Sequence, residues 1–172
     1  KSGSTEVLEE ALALTVLIEC IGENGEPKMG SGFLSDPEGR VVTNYHVISN
    51  TSKIRVKLPG RESYVVATIF AESEKYDLAI LNTKLKGSHL QKADDSKVLV
   101  GQKIYVIGNP LGLESTVSEG IVSAVRNDYD LGRIFQITAA ISPGSSGGPV
   151  IDQEGDVIAV AVASLKAGQN VN

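Results

Sequence analysis

The sequence predicts an all-β protein built as two small barrels. From residue 12 onward, short β-rich runs punctuated by Gly, Asn, Asp and Pro recur about every 8–12 residues, the rhythm of a sandwich or barrel. No sustained helical period competes with it. A polar stretch between Lys84 and Lys97, containing Lys86-Gly87-Ser88 and Asp94-Asp95-Ser96, divides the runs into two sets.

In order along the chain, residues 1–14 form an N-terminal arm whose Ser4–Leu14 stretch is the one expected helix. Ser4 or Thr5 would cap it, and Glu6, Glu9 and Glu10 favour its positive N-terminal end. A peripheral position is expected for this arm. Strands are expected at Thr15–Ile21, Gly30–Leu34, Val41–Asn44, Lys53–Lys57, Tyr64–Ala71 and Leu78–Leu81, filling a first barrel over residues 15–85. Residues 86–97 form the connector. Five further strands, Lys103–Gly108, Ser115–Ala124, Ile134–Thr138, Pro149–Ile151 and Val157–Ala163, belong to a second barrel over 98–172. Pro37-Glu38-Gly39, Pro59-Gly60 and Glu154-Gly155 supply the φ-restricted or φ-positive residues that reverse a chain between strands.

At 172 residues the chain can bury a substantial core. Its formal net charge of −5, without a basic run, argues against a nucleic-acid partner. The longest apolar run, Val157–Ala163, has seven residues, against roughly 20 for a helix that crosses a bilayer. One cysteine, Cys20, allows no internal disulfide, and two histidines are too few for a Cys/His zinc site. No metal or cofactor is expected. Cys20 follows Val16-Leu17-Ile18-Glu19 and reads as a small core residue.

The chemistry concentrates in Ile141-Ser142-Pro143-Gly144-Ser145-Ser146-Gly147-Gly148-Pro149. A serine flanked by glycines before an apolar strand suits a nucleophile, because the substrate must come close to backbone N–H groups that receive an oxyanion. Ser146 then needs a base, and the chain offers only His46 and His89. His46 ends an apolar strand, whereas His89 lies in the connector. Asp77, opening the apolar run at Leu78, is the candidate carboxylate to orient the imidazole. Taken singly, each of these residues has a plainer reading: a turn aspartate, a structural histidine, a loop serine.

Order along the chain separates the families that share such a triad. Gly144 to Gly148 fits the GxSxG elbow of α/β-hydrolases, but their histidine follows the serine, and residues 147–172 contain none. The subtilisin order needs an acid before His46, where the only aspartate is Asp36, without a matching motif. His46, Asp77, Ser146 is the chymotrypsin order, with successive members 31 and 69 positions apart.

The blocks TNYHVI (43–48), YDLAIL (76–81), GNPLGLESTVSEGIVSA (108–124) and AAISPGSSGGPVID (139–152) resemble the bacterial HtrA/Deg branch of trypsin-like serine proteases. The resemblance runs from Val16 to Asn172. It implies two perpendicular six-stranded antiparallel β-barrels with the active site in the crevice between them, His46 as base, Asp77 as orienting acid and Ser146 as nucleophile. The N–H groups of Gly144 and Ser146, with Ser145 between, would form the oxyanion hole. It further implies a last strand and a C-terminal helix beyond residue 172, an extracytoplasmic location and trimeric assembly. The aromatics that help assemble such trimers are not found in residues 1–15, and no PDZ sequence lies within this chain.

Departures from the digestive relatives carry information too. Tyr45 and Val47 flank His46, and Ser145 precedes Ser146 where those relatives place an aspartate for a newly cut N-terminus. Zymogen cleavage is therefore not the expected switch; the resemblance implies loop ordering by oligomerisation or ligand instead, with Arg126–Arg133 as the expected mobile loop. Proteases that prefer Arg or Lys carry an aspartate six residues before the nucleophile, here Ala140. A pocket lined by Ala140, Ile141, Ala161, Val162, Ala163 and Ser164 suits a small or medium aliphatic side chain instead. The expected function is a serine endopeptidase acting on unfolded or flexible polypeptides in protein quality control. A latent or inactive binding module and a nonproteolytic esterase are the alternatives.

Overall fold

The computed structural model describes residues 3–109 and 115–163. The expected helix is α1 (Ser4–Leu14), followed by β1 (Thr15–Gly22), β2 (Pro27–Leu34), β3 (Arg40–Thr43), a one-turn helix α2 (Tyr45–Ile48), β4 (Thr51–Lys57), β5 (Val65–Ser73) and β6 (Leu78–Asn82). Then come β7 (Lys103–Gly108), β8 (Thr116–Asp128), β9 (Gly132–Ile137), β10 (Pro149–Ile151) and β11 (Val157–Val160).

The first six strands close into a barrel in the order β1-β2-β3-β6-β5-β4, sealed by antiparallel pairing of β1 with β4. Closure leaves this barrel no free edge for a foreign strand. The other five form a curled sheet in the order β11-β10-β7-β8-β9. Strand β7 joins the two halves. Successive side chains on a strand face opposite ways, so Tyr105 and Ile107 pack with the first core, among Val16, Ile18 and Leu81, while Ile104 and Val106 pack with Val122, Val150 and Ile158 in the second. The connector pins both halves: Leu90 N–H donates to Leu34 (2.9 Å), and Ala93 N–H to Val157 (2.9 Å).

Two expectations for the periphery are corrected. In place of the expected Ser4 or Thr5 cap, helix α1 has Gly3 at its N-cap and no side-chain cap, and the arm is packed on the first core. Ala11 and Leu14 are buried in the first core, with Val7, Leu8 and Leu12 packed against it, and Thr15 Oγ1 donates to the Ala11 carbonyl (2.8 Å). Apolar residues at 7, 8, 11 and 14 share one face of a helix, and that face required a partner. The segment Arg126–Arg133 is mostly paired strand: Arg126 lies opposite Ile134, Asn127 opposite Arg133 and Asp128 opposite Gly132. Its turn is closed by Asp128 Oδ1, which accepts the N–H groups of Leu131 (2.8 Å) and Asp130 (2.9 Å). These bonds hold the Asp128 carboxyl below its ordinary pKa.

Cys20 is a core residue of β1, fully buried. Burial, the largest influence, pushes its thiol pKa from 9.0 up to about 11. The proton is therefore held more tightly in the folded chain than in the unfolded one, so this site's contribution to stability is intact below about pH 9 and lost as pH rises toward 11. Thiolate is the reactive form. At pH 8, Ellman's reagent should leave the native protein unlabelled and modify one thiol per chain in guanidinium chloride; rapid labelling of the native state would contradict this burial.

Candidate active site

His46 is presented by a strand that runs out of the barrel core. Val41 and Thr43 on β3 face inward, Asn44 is buried, and the backbone then coils for one turn in α2. The turn buries Val47 and Ile48 and leaves the His46 side chain 47% exposed. So short a helix has carbonyls without intrahelical partners. Lys28 Nζ reaches two carbonyls at this end, donating to His46 (2.8 Å) and Ser49 (2.9 Å).

Asp77 sits one residue before β6, in the left-handed region at φ 51°, a conformation Asp adopts more readily than most residues. The turn is held by Asp77 N–H donating to Glu74 (3.1 Å) and by Asn44 Nδ2 donating to the Asp77 carbonyl (2.9 Å). The carboxylate then grips His46 at two points. Oδ2 lies 2.6 Å from His46 Nδ1, and Oδ1 accepts the His46 backbone N–H at 2.8 Å. An ionised carboxylate only accepts, so Nδ1 carries the proton and Nε2 is left as an acceptor.

Ser146 follows a 3₁₀ turn over Pro143–Ser145, where proline supplies the fixed φ of the first helical position. Beyond it the chain passes through Gly147 at φ 90° into β10. Reciprocal bonds set this turn against the strand beyond β11: Gly147 N–H donates to Ala161 (2.9 Å) and Ala161 N–H to Gly148 (2.9 Å). Ser31 N–H donates to the Ser146 carbonyl (2.9 Å), tying the turn to the first barrel. Ser146 is 1% exposed, and its Oγ accepts the Ala163 N–H (3.1 Å). That is the hydrogen bond of the hydroxyl among the described residues, and it makes none to His46.

The segment 144–146, expected to form an oxyanion hole, has its Ser145 and Ser146 N–H groups turned into its own loop. Ser146 N–H donates to the Pro143 carbonyl (3.2 Å), and Ser145 N–H donates to Ser142 (2.9 Å). A trans peptide points its C=O and N–H in opposite directions. With the Pro143 carbonyl turned toward Ser146 N–H, the Gly144 N–H points the other way. Neither the Gly144 nor the Ser146 N–H is free on the side an oxyanion would need, although the Ser146 turn and the His46–Asp77 pair are both formed.

Of the expected pocket residues, Ala161 is buried, Ile141 and Ala163 are half-buried, and Ala140 and Val162 are exposed; Ser164 lies outside the described residues. Ile141 packs on the second core. His89 bonds with Gln91 (3.1 Å) in the connector, and Asp36 closes the β2–β3 turn through Arg40 (3.0 Å), so both have local structural partners. Among the described residues no three His, Cys, Asp or Glu side chains gather to hold a metal ion, and no helix is long and apolar enough to cross a membrane. Sequence reasoning missed Ser31, Asn44 and Lys28, each of which holds a site residue through bonds reaching far along the chain.

A closed β-barrel carrying a His–Asp pair, set against a second sheet that carries a serine on a glycine-rich turn, is the architecture of the two-barrel serine hydrolases. Residues 30–160 match the trypsin-like peptidase domain. The chain is 42% identical over 149 residues to a probable periplasmic DegP-like serine endoprotease of Bartonella henselae, covering 83% of this chain and 29% of that protein. It is 37% identical over 144 residues to the chloroplastic Protease Do-like 1 of Arabidopsis thaliana, covering 78% of this chain and 33% of the relative. Among solved structures, the HtrA-type protease AlgW with a tripeptide superposes with a TM-score of 0.82 at 30% identity, over 92% of this chain and 53% of that one. The chain belongs to the trypsin-like peptidase family, on its HtrA/Deg side, a family of serine endopeptidases. It spans about a third of the length of the curated relatives it matches.

Proposed function

We propose that this chain is the peptidase domain of an HtrA/Deg-type serine endopeptidase that cleaves unfolded or flexible polypeptides through an acyl-enzyme on Ser146. The observation that carries the reading is the two-point grip of Asp77 on His46, at 2.6 and 2.8 Å. It fixes the tautomer a general base requires. His46 Nε2 takes the Ser146 proton as Oγ attacks the scissile carbonyl, then returns a proton to the leaving amine, and water repeats the cycle on the ester. Gly144 and Ser146 N–H groups receive the oxyanion. The DegP-like relatives are named as periplasmic, which supports an extracytoplasmic compartment, while another is named as chloroplastic; protein quality control is the role proposed with it.

In this reading the described arrangement is the resting state. Two local movements separate it from a competent one: Ser146 Oγ must leave the Ala163 N–H for His46 Nε2, and the Pro143–Gly144 peptide must turn over. Ordering by self-association or a bound peptide is the switch. The bond from Ser146 N–H to Pro143 also favours a second reading, a module that keeps the fold and never turns over substrate.

Labelling with a serine-reactive fluorophosphonate separates the two. The full-length protein should label at Ser146, faster with an activating peptide, and Ser146→Ala should not label. No label under any condition, or equal label on Ser146→Ala, overturns the peptidase reading. The apolar Ala140, Ile141 and Ala161–Ala163 wall predicts cleavage after Val, Ala or Ile in peptide-library profiling. Dominant Arg or Lys at that position would refute the assignment of this wall.

A further inference from the structure

We propose that Ser31 is a positioning residue for the oxyanion hole, the anchor that confines its opening to the Pro143–Gly144 peptide. The inference rests on the peptidase reading above.

Ser31 lies on β2 in the first barrel, fully buried, 113 residues from the turn it holds. Its Oγ donates to the Gly144 carbonyl (2.7 Å) and accepts the Asn109 N–H (2.8 Å), the residue just after β7. Its backbone N–H donates to the Ser146 carbonyl (2.9 Å), and its carbonyl accepts Thr43 Oγ1 on the strand leading to His46 (2.8 Å). One residue thus joins the nucleophile's turn, the base's strand and the end of β7.

These bonds hold the two peptides that flank the expected donors. The 144–145 peptide is held at its oxygen by Ser31 Oγ and at its nitrogen by the Ser142 carbonyl; the 146–147 peptide is held by Ser31 N–H and the Ala161 carbonyl. Among the described residues, the Pro143–Gly144 unit is tied only by its Pro143 carbonyl, to Ser146 N–H. Breaking that bond lets this peptide rotate while Gly144 Cα and Ser146 keep their places, so both donors arrive at a fixed separation. Without the Ser31 hydroxyl, the Gly144 carbonyl has no partner on the first barrel and the donor pair loses its spacing. A displacement of about 1 Å in such a constellation is enough to cost about 10²-fold in rate.

The test uses the full chain with a peptide substrate. Ser31→Ala should lower kcat by about 10- to 100-fold with KM within about threefold of wild type, the pattern of an interaction made in the transition state. Affinity for a peptide boronate, whose tetrahedral adduct occupies the oxyanion hole, should fall by the same factor. Affinity for an uncleaved substrate-like peptide should not. Thr15→Val removes another fully buried hydroxyl, bonded to Ala11 far from the turn; it should lower the melting temperature and leave kcat unchanged. Should Ser31→Ala not fold, Ser31→Cys keeps the volume with a weak donor and must show the same coupled loss. A folded Ser31 variant with wild-type kcat, or a kcat loss without loss of boronate affinity, overturns the proposal while leaving the peptidase reading standing. A wild-type protein that never labels or turns over overturns both.

Discussion

Asp77→Asn should lower kcat by about 10⁴-fold while leaving the fold intact. The magnitude follows from which atoms the side chain serves. Oδ1 accepts the His46 backbone N–H and Oδ2 faces His46 Nδ1. In the amide, the oxygen is pinned at the backbone N–H, because an NH₂ group there would meet another donor. The NH₂ group then faces the ring and donates to Nδ1, which forces the imidazole proton onto Nε2. An Nε2 that carries a proton cannot take one from Ser146. Shape and packing change little, so the melting temperature should stay close to wild type. His46→Ala and Ser146→Ala should be at least as severe, and the double variant Asp77→Asn/Ser146→Ala no worse than Ser146→Ala alone, since the residues act as one unit. Steady-state turnover of a peptide substrate, with melting measured in parallel, decides it; a fall of less than about tenfold for Asp77→Asn would remove it from the triad.

The same site shows what a sequence can carry. All eleven β-runs appear as strands because alternation and turn residues are local signals: Gly39, Gly60 and Gly155 each take positive φ between the strands they were expected to separate. His46, Asp77 and Ser146 stood out because histidines are scarce and chain order excludes the rival families. The turn of helix that carries His46 left no signal, since four residues are too few for a 3.6-residue period. Ser31 and Asn44 are equally silent: their bonds to Gly144 and Asp77 join residues 113 and 33 positions apart. The rotation of the Pro143–Gly144 peptide is a backbone state that the same residues permit either way. The misplaced loop at Arg126–Arg133 has a related cause, because its charged side chains line an exposed hairpin whose stability comes from ladder bonds and Asp128.

Gly147→Ala should destabilise the fold far more than Gly132→Ala. Both glycines have positive φ, 90° and 74°, where a Cβ costs roughly 1–2 kcal/mol by itself. Around Gly132 an added Cβ meets nothing within 4 Å, so that backbone term is the whole effect. At Gly147 the Cβ would meet Thr43 Oγ1 at 2.5 Å and Asn44 N at 3.2 Å, and it would run into the Ser31 carbonyl oxygen. These are the atoms that hold β2, the strand leading to His46 and the Ser146 turn together. Relief requires the serine turn to move off the first barrel, which breaks the bond from Ser31 N–H to Ser146 and separates Ser146 from His46. The clash cannot be absorbed by a flexible side-chain end, because two of the three neighbours are backbone. A loss exceeding about 3 kcal/mol is expected, a large fraction of the roughly 5–15 kcal/mol a domain has in total. Urea denaturation of both variants tests it: similar midpoints for Gly147→Ala and Gly132→Ala would mean that the first barrel does not close on the serine turn as tightly as these distances require.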